Sequence, residues 1–319
     1  MKNHPEISIC IVNWNTRDDL EICLDSIKRC QMNVETIVCD NASNDGSAEM
    51  VGLKHPETIL IKSAENLGFG RGNNLCAEKS HGEFLLIANP DIIFAREAMT
   101  VMRDTLRSDP NIGAVGPRLV NPDGTVQRHY YRKFPSITQV ILYHTILKAI
   151  FFRFKSLRYK IWEDNTDTDK IVDVNQPPGA CIMVRGDLFR KLGGFDERFI
   201  LFYEDVDLCR RIKYTDSKIV LNPRAQVVHS GQSSLNRELQ ARLKLLFFRS
   251  GALYFKLHGG VVRSFIYKTV YITNELAKIL IRLVMVVFDP KGKRGLRGKI
   301  RDSLEFVKNV LMGKRLTLL

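Results

Sequence analysis

An acidic segment late in the chain has the residue types of a catalytic site. It runs GGFDERFILFYEDVDLCRR, from Gly193 to Arg211, and places three carboxylates directly after an apolar aromatic run. Such carboxylates are costly unless they cap a helix, pair with cations or meet a ligand. Asp207 has arginines at i+3 and i+4, which is the favourable order for an ion pair on a helix. Asp205 has no such partner in the local sequence, so we predict that it is a catalytic base.

The composition limits the classes of protein to which the chain can belong. Of its 319 residues, 45% are hydrophobic and 26% charged, as in a globular protein with a substantial core. The net charge of +13 indicates an anionic partner, for which nucleic acid, phosphorylated small molecules and anionic lipid all qualify. The seven cysteines form no CxxC pair, which favours buried thiols in a reducing compartment over a zinc site or a disulfide framework. Neither a signal-peptide pattern nor a run of eighteen uncharged apolar residues is found.

The N-terminal half alternates between strand and helix patterns. Runs rich in β-branched residues at 7–14 and 36–39 are typical of buried parallel strands, and further strands are expected at 59–62 and 83–88. The spacing of apolar residues over 17–30 predicts an amphipathic helix between the first two strands. In a parallel sheet of this kind, ligands bind beyond the carboxyl ends of the strands. The residues that follow each strand are therefore the candidates for a binding site.

Polar and glycine-rich turns follow these predicted strands. Asp40 begins a turn in which it could either accept a hydrogen bond from a nucleotide base or simply stabilise the turn. Gly68, Gly70 and Gly72 precede a helix, which suits close approach of the backbone to phosphates, and Arg71 adds a cation. This glycine spacing matches neither the dinucleotide-binding nor the P-loop fingerprint.

Asp91 and His229 are the candidate metal ligands. Asp91 follows Pro90 at a strand end and could hold a hard divalent cation that bridges a diphosphate. His229 ends the last predicted strand and could supply a second ligand. From these residues alone the plain alternatives stay open, since many such aspartates only form turns and a lone histidine is more often structural.

The other segments combine apolar and basic residues. Residues 136–162 interleave aliphatic and aromatic side chains with Lys and Arg, and the pattern is helical and basic from Leu235 onward. Between Lys291 and Arg315 there are nine Lys or Arg and two acidic residues. These features favour helices that lie at a membrane surface. The alternative is a helical subdomain that packs on the core or in a dimer interface.

Taken together, the motifs resemble those of glycosyltransferase family 2. They are SICIVNWN, VCDNASNDGS, ENLGFGRGNN, LLIANPDIIF, GACIMVRGDLFRKLGGFDERFILFYEDVDLCRR and HSGQSS, in the order of the family, over about residues 6–235. Within the family they are most similar to the rhamnosyltransferase-like enzymes of bacterial surface-polysaccharide and O-antigen assembly. The resemblance implies an α/β GT-A fold, Rossmann-like with a mostly parallel sheet flanked by helices, here with a C-terminal basic helical extension. It also implies a nucleotide-sugar donor, a divalent cation (Mg²⁺ or Mn²⁺) and inversion at the anomeric carbon.

The resemblance assigns roles to individual residues. Asp205 would be the base of the family's ED motif, with Glu204 beside it as the second catalytic carboxyl. Asp91 would stand in the metal position of a DxD-type motif, of which only the last acid is present here, and His229 would complete the metal site. The predicted donor-binding residues are Asn13, Asn15, Asp40, Asn41, Gly68, Arg71, Asn74 and Asp91. The QxxRW motif of the family's polymerases is absent from the sequence, which argues against a processive synthase.

We therefore predict an inverting, metal-dependent glycosyltransferase with a dTDP- or UDP-linked donor, rhamnose being the candidate sugar. The predicted acceptor is a glycan or a lipid-linked oligosaccharide, and the predicted location is peripheral, on the cytoplasmic face of the inner membrane. A nucleotidyltransferase of similar architecture and a non-catalytic nucleotide-sugar-binding scaffold are the alternatives. Nucleic acid is not an expected partner, because the cations belong to no recognisable binding module and the acidic cluster would repel phosphate. A homodimer stays open.

The expected organisation has four parts. Residues 1–130 would form the nucleotide-sugar-binding half, and residues 131–175 an apolar and basic insertion at the acceptor or membrane surface. Residues 176–235 would form the acceptor and catalytic half. Residues 236–319 would form a C-terminal helical region that associates with the membrane.

Overall fold

The computed structural model describes residues 4–127, 133–148, 169–231, 237–288 and 293–313. The strands in these ranges are β1 (Ile7–Asn13), β2 (Val34–Asp40), β3 (Ile59–Lys62), β4 (Phe84–Ala88), β5 (Ile92–Phe94), β6 (Ile112–Val120), β7 (Val172–Asp173), β8 (Cys181–Arg185) and β9 (Lys218–His229). The helices are α1 (Arg17–Arg29), α2 (Ser47–Lys54), α3 (Phe69–Glu78), α4 (Ala98–Ser108), α5 (Ile137–His144), α6 (Gly186–Lys191), α7 (Glu204–Lys213), α8 (Arg237–Phe288) and α9 (Lys293–Leu311). Of the predicted apolar and basic insertion at 131–175, residues 131–132 and 149–168 lie outside the described residues.

All the described strands form one sheet in the order β3-β2-β1-β4-β8-β6-β9-β5, with β7 paired to β9. The strands β3, β2, β1 and β4 are parallel to one another, whereas β8 is antiparallel to both β4 and β6. The predicted α/β fold is confirmed, but the sheet is mixed: β6 and β9 are parallel to each other, whereas β8, β5 and β7 run antiparallel to their partners. The hydrophobic pattern does not reveal this change, because β4 and β8 are both almost entirely buried and look alike in sequence.

The strand register brings several loops to one edge of the sheet. Asn13 at the end of β1 is opposite Asp40 at the end of β2. Ala88 at the end of β4 is opposite Cys181 at the start of β8, and the Asn89 N–H donates to the Ala180 carbonyl at 2.9 Å. The carboxyl ends of β1, β2 and β4 therefore meet the segment that enters β8.

Helices cover both faces of the sheet. The apolar faces of α1 and α4 pack on one side and those of α3, α6 and α7 on the other. All seven cysteines are free and buried within these two cores, as expected from their apolar surroundings. Burial raises the pKa of the Cys39 thiol to about 12, so this thiol stays protonated and unreactive.

Two local features are set by contacts between segments. The strand that ends at His229, β9, follows β6 through a register shift between Pro117 and Arg118. Thr16 precedes α1, but its hydroxyl makes no capping bond and instead donates to Asn13 Oδ1 at 2.7 Å. The Thr16 hydroxyl is therefore bonded to Asn13 at the end of β1 and does not cap the helix.

The C-terminal helices pack on the catalytic half. Helix α8 changes direction at Gly260, whose φ of 79° is outside the helical region, and α9 packs against it. Aromatic residues of α8 form a third core with Phe306 of α9, and Phe199 and Tyr203 belong to the same core. This part of α8 therefore packs as a helical subdomain on the rest of the chain. Within the described ranges, no helix has a segment long and apolar enough to cross a bilayer.

Candidate active site

A cleft of about 670 Å³ opens at the edge of the sheet where the strand ends meet. Its walls include Trp14 after β1, Asn89 and Pro90 after β4, and Gly179 before β8. Glu204 and Asp205 at the start of α7 face these loops across the cleft. The remaining lining residues include Thr16, Phe69, Lys133, Gln139, Gln176, Phe202, Tyr203 and Phe247.

The start of α7 is held in an unusual backbone conformation. Phe202 and Tyr203 have φ values of 69° and 68°, in the left-handed region that costs energy for residues other than glycine. Tyr203 is held there by ring contacts to Phe247 and Tyr254 of α8, at centroid distances of 5.2 and 5.4 Å. Packing against α8 therefore sustains the turn that directs Glu204 and Asp205 into the cleft.

Glu204 lies in a dry environment at the base of the cleft. It is only 5% exposed, and its Oε2 has no hydrogen-bond partner within the described structure. Burial and the adjacent Asp205 carboxylate together raise the pKa of Glu204 to about 8. At neutral pH Glu204 is therefore mostly protonated, and it can donate a hydrogen bond to a ligand in the cleft.

Asp205 has different surroundings, although it is the next residue. It is half-buried and its Oδ1 accepts a hydrogen bond from the Val206 N–H at 2.8 Å. Its Oδ2 lies against Gly179, where any Cβ would overlap it. The position of Asp205 in the first turn of α7 favours a negative charge there, because the helix dipole is positive at that end. This carboxylate is the member of the pair placed to accept a proton.

The ion pair predicted for Asp207 is partly as expected. Arg211 Nε lies 2.7 Å from Asp207 Oδ2, at the predicted i+4 spacing. Arg210 does not bind Asp207 and instead donates to the hydroxyls of Tyr214 and Tyr254. The second partner of Asp207 is His258 of α8, whose Nε2 lies 2.7 Å from Oδ1, a contact that only the tertiary structure creates.

Asp40 and Asn13 form a hydrogen-bonded pair at the ends of β2 and β1. Asn13 Nδ2 donates to Asp40 Oδ1 at 2.9 Å, and Asp40 Oδ2 accepts from the Ser43 N–H at 3.1 Å. The turn-stabilising alternative is therefore present in the structure. Carboxylate oxygens can each accept a further bond, so a nucleotide base can still be recognised here. Asn15, with φ of 53°, braces the same turn by accepting from the Asn44 N–H at 2.8 Å.

A smaller pocket of about 170 Å³ adjoins the cleft on the Asp40 side. It is lined by Asn41, Asn66 and Gly68, and it shares Trp14 and Phe69 with the larger cleft. Asn41 Nδ2 donates to the Gly68 carbonyl at 3.1 Å, which ties the turn after β2 to the glycine-rich turn before α3. The structure thus brings Asn41 and Gly68 of the predicted donor set together.

Two predicted donor-binding residues lie elsewhere. Arg71 is exposed on α3, with its Nε 3.8 Å from Glu197 Oε2, and it lines neither pocket. Asn74 exchanges hydrogen bonds with the backbone of Phe195 at 2.8 and 2.9 Å. Asn74 therefore anchors the Gly193–Phe195 turn, and the geometry gives it a structural task that its position in a motif did not reveal.

Asp91 and His229 meet as the sequence predicts. Asp91 Oδ2 lies 3.3 Å from His229 Nε2 and accepts from the Gly231 N–H at 3.0 Å. The other ring nitrogen of His229 contacts Gln127 Oε1 at 3.1 Å, which fixes the ring. A carboxylate oxygen and an imidazole nitrogen at this separation suit a cation such as Mn²⁺. The described ranges contain no cluster of three potential protein ligands, so a cation here would need oxygen ligands from a diphosphate or water.

Some residues of the two pockets were not predicted as site residues by the sequence analysis, although Trp14 and Phe69 lie within motifs that it quotes. Trp14 and Phe69 form the wall between the two pockets, and Gln176 and Lys133 add polar groups to the larger one. Arg242 of α8 lines the smaller pocket, opposite Asn41 and Gly68. The available signal for Trp14 was an aromatic residue directly after a buried strand. No local pattern marks Arg242, which lies far along the chain from Asn41 and Gly68 of the same pocket.

The comparison with known families decides which family the chain belongs to. The model of the family described as "Glycosyl transferase family 2" matches residues 8–185, more than half of the chain. The chain belongs to glycosyl transferase family 2. It is therefore an enzyme that transfers sugars, and its relatives include enzymes of O-antigen biosynthesis.

Curated relatives of this glycosyltransferase include rhamnosyltransferases. It is 27% identical to the N-acetylglucosaminyl-diphospho-decaprenol L-rhamnosyltransferase of Mycobacterium tuberculosis, over 66% of this chain and 71% of the relative. It is 24% identical to the rhamnosyltransferase WbbL of Escherichia coli K12, over 70% of this chain and 83% of the relative.

Solved structures support the fold. A mannosyltransferase of Pyrobaculum calidifontis in complex with GDP-Man and Mn²⁺ superposes with a TM-score of 0.52 at 15% identity, covering 98% of this chain and 89% of that one. GalNAc-T7 with UDP, GalNAc and Mn²⁺ superposes with a TM-score of 0.52 at 14% identity, over 78% of this chain and 48% of that one. The neighbours are GT-A glycosyltransferases, and these two hold a divalent cation.

Proposed function

We propose that this glycosyltransferase moves a sugar, with rhamnose as the first candidate, from a nucleoside-diphosphate donor to a hydroxyl of a lipid-linked glycan, with inversion. The observation that carries the proposal is that Glu204 and Asp205 line the same cleft as the loops that follow β1 and β4, beside the smaller pocket that the turn after β2 lines. In this arrangement, a donor held by the loops presents its anomeric carbon toward Asp205. The acceptor enters between the donor and α7.

The chemistry follows from the different surroundings of the two carboxyl groups. Asp205 takes the proton of the acceptor hydroxyl while the hydroxyl oxygen bonds to the anomeric carbon and the bond to the diphosphate oxygen breaks. Attack from the side opposite the leaving group inverts the anomeric carbon. Glu204, protonated at neutral pH, orients the acceptor or donor by a hydrogen bond and adds no repulsion to the charge on Asp205.

Asp91 and His229 are the proposed ligands of a divalent cation. Their donor atoms suit Mg²⁺ or Mn²⁺ only when further oxygen ligands are added, which agrees with a cation that binds together with the donor diphosphate. When bound, such a cation supplies charge stabilisation for the departing diphosphate. The Mn²⁺ in the structural neighbours supports this proposal.

Donor and acceptor classes come from the relatives. Their names specify rhamnosyl transfer, and one specifies a diphospho-decaprenol acceptor, which supports a polyprenyl-diphosphate-linked acceptor for this chain as well. An acceptor of this kind places the enzyme at the cytoplasmic face of the inner membrane. The +13 net charge and the exposed apolar residues of α8 support peripheral binding there.

Thermal unfolding with dTDP, UDP and GDP tests the donor site. Each nucleotide is added with Mn²⁺, with Mg²⁺ or with a chelator, and a nucleotide at a hundred times its dissociation constant should stabilise by about 2.7 kcal/mol. We expect a rise of a few degrees with dTDP or UDP that the chelator abolishes. A rise that survives the chelator would remove Asp91 and His229 from the proposal, and no rise with any nucleotide would contradict the donor site.

Product analysis tests the reaction itself. Incubation with dTDP-rhamnose and N-acetylglucosaminyl-diphospho-polyprenol should release dTDP and lengthen the lipid-linked glycan by one sugar. A nucleotidyltransferase acting on the same donor would instead transfer the dTMP group and release rhamnose 1-phosphate, and a non-catalytic scaffold would release neither product. UDP-sugars form the comparison set for the identity of the donor.

A further inference from the structure

Two arginines, Arg210 and Arg263, line a pocket beside the active-site cleft. This pocket of about 420 Å³ is lined by Pro135, Ser136, Arg210, Tyr254, His258 and Arg263, among other residues, and we call it the Arg210 pocket. Pro135 also lines the active-site cleft, so the two cavities are neighbours. The reaction chemistry described above makes no use of the Arg210 pocket.

Arg210 carries a charge without an acidic partner in the described structure. Its Nη1 donates to Tyr254 Oη at 2.7 Å and its Nε to Tyr214 Oη at 2.9 Å. Its guanidinium carbon is 5.3 Å from the centre of the Phe134 ring. A half-buried guanidinium with only neutral and aromatic partners is costly, and a bound anion would offset this cost.

The neighbouring charges leave the Arg210 pocket positive. Asp207 is the acidic group in contact with its lining, and it already binds both Arg211 and His258 at 2.7 Å. Arg263 is exposed at the mouth of the pocket, and within the described ranges no carboxylate lies at ion-pair distance from it. Two guanidinium groups with free donors favour a phosphate or diphosphate, which they can bind in a bidentate manner.

Exposed apolar residues adjoin the cations. Val261 and Val262 precede Arg263 and are 71% and 70% exposed, and Phe265 follows it at 68%. These residues lie in α8 just beyond the change of direction at Gly260. The surface around the Arg210 pocket therefore combines an anion site with an apolar rim, which fits a phosphorylated lipid better than a free phosphate.

We propose that the Arg210 pocket binds the diphosphate of the polyprenyl-diphosphate-linked acceptor. This inference rests on the proposed function for the acceptor class. Arg210 follows Asp205 by five residues on α7, about 7.5 Å along the helix axis and about 140° around it. An acceptor that spans the two cavities therefore passes Pro135, which lines both, with its sugar in the cleft and its diphosphate at Arg210. The apolar rim receives the start of the polyprenyl chain.

Binding of farnesyl diphosphate to the full chain tests the proposal. The measurement is made in a chelator, so that diphosphate binding through a cation at Asp91 does not contribute. We expect Arg263→Gln to weaken binding of farnesyl diphosphate at least tenfold. Lys268→Gln, which removes an equally exposed cation of α8 that does not line the pocket, should leave it within twofold. Arg210→Gln, accepted only if its melting temperature matches that of the wild type, should weaken binding at least as much.

Two further probes separate the sources of the signal. Farnesol should bind at least tenfold more weakly than farnesyl diphosphate, and equal binding would overturn the proposal because the diphosphate would then not be recognised. Vesicles of phosphatidylglycerol test for a headgroup site. If Arg263→Gln reduces vesicle binding and leaves farnesyl diphosphate binding unchanged, the proposal is overturned.

Failure of the proposed function gives a different result. In that case the wild type would transfer no sugar to a polyprenyl-diphosphate acceptor, yet farnesyl diphosphate would still bind in an Arg263-dependent manner. If transfer occurs, the KM for the diphosphate-linked acceptor should rise at least tenfold in Arg263→Gln. The KM for the nucleotide sugar should stay unchanged, and an equal rise in both would count against the pocket.

Discussion

Glu204 and Asp205 are consecutive residues whose side chains meet different environments. Glu204 is buried at the base of the cleft beside Gly70 of α3, and burial together with the adjacent Asp205 carboxylate raises its pKa to about 8. Asp205 is half-buried at the helix start, in contact with Gly179. Two carboxyl groups in such different environments can together hold one proton and one negative charge at neutral pH, as acid–base chemistry requires.

Asp205→Asn is the residue-level test of the proposed base. The amide keeps the shape of the carboxylate but cannot accept the proton, so we expect transfer to fall by about 10²–10⁴-fold. The nucleotide-induced rise in melting temperature should be unchanged, because donor binding does not need this group. Activity within tenfold of the wild type would remove Asp205 from the base role.

Glu204→Gln tests the protonation state of the buried acid. A folded-state pKa above the unfolded value contributes stability that is fully present below about pH 4.5 and is lost as the pH rises through about 8. The wild type should therefore lose stability between pH 5 and 8, by an amount on the order of a few kcal/mol at most. Glu204→Gln, which is neutral at every pH, should lose less over this window in denaturant titrations. Parallel pH profiles would contradict a raised pKa.

At the scale of secondary structure, the cleft depends on how α7 is aimed. The left-handed turn at Phe202 and Tyr203 is held by α8, and Ser250 of α8 also donates to the Leu201 carbonyl at 2.7 Å. On the other side, the loop before β8 approaches Asp205 so closely that only glycine fits at position 179. Both contacts set the position of the Asp205 carboxylate.

Gly179→Ala tests this close approach. The added methyl group overlaps Asp205 Oδ2, so the carboxylate must move, and we expect transfer to fall at least tenfold. Gly52→Ala in α2 is the matched control, because a Cβ there meets nothing within 4 Å. This control should keep full activity and gain about 0.4–1 kcal/mol of stability. Equal activity of the two variants would show that the Gly179 contact does not position Asp205.

At the scale of the whole molecule, α8 and α9 are joined by a buried ionic network. Glu275 is 1% exposed and lies 2.7 Å from Lys244 Nζ and 2.9 Å from Lys278 Nζ, and Ser303 of α9 donates to it at 2.8 Å. Burial opposes the charge on Glu275, but the two lysines hold its pKa below the usual value. Its contribution to stability is therefore present above the unfolded pKa and is lost as the pH falls.

Glu275→Ala should destabilise the folded chain by about 3–5 kcal/mol, because it leaves two partly buried ammonium groups without a counter-charge. Denaturant unfolding at pH 7 measures the loss. Glu305→Ala removes an exposed acid of α9 and should change stability by less than about 0.5 kcal/mol. A loss below 1 kcal/mol for Glu275→Ala would mean that the network contributes little to the packing of α8 on α9.

The exposed apolar residues of α8 lead to a prediction about membranes. We expect the full chain to bind vesicles that contain phosphatidylglycerol and to be released by salt, because lipid attraction to surface cations is screened. Phe265→Ser should weaken this binding, whereas Leu53→Ser, at an 83% exposed position on α2, should not. Co-sedimentation with the vesicles measures both. Equal binding by the two variants would exclude α8 as the membrane surface.

Much of the N-terminal part of the sheet could be predicted from local sequence. The strands β1 to β4 are continuous apolar runs, and the polar residues after them fall at one edge because parallel strands share their carboxyl ends. The resemblance to the family pointed to Asp91 and His229 as joint metal ligands, and the pairing of β5 with β9, which the sequence analysis did not predict, is what brings the two side chains together. The strand positions and their shared edge depend on short-range pattern and on the general rules of sheet topology.

The tertiary structure alone decided the features that depend on contacts between distant segments. No local pattern marks the antiparallel position of β8 or the hydrogen bonds by which Asn74 anchors the turn at Phe195. The same is true of Arg242, which lines the smaller pocket. The sequence by itself determined which carboxylates begin α7. Which of them is buried, and which touches Gly179, was decided by packing, because environments are created by residues that are far apart in the chain.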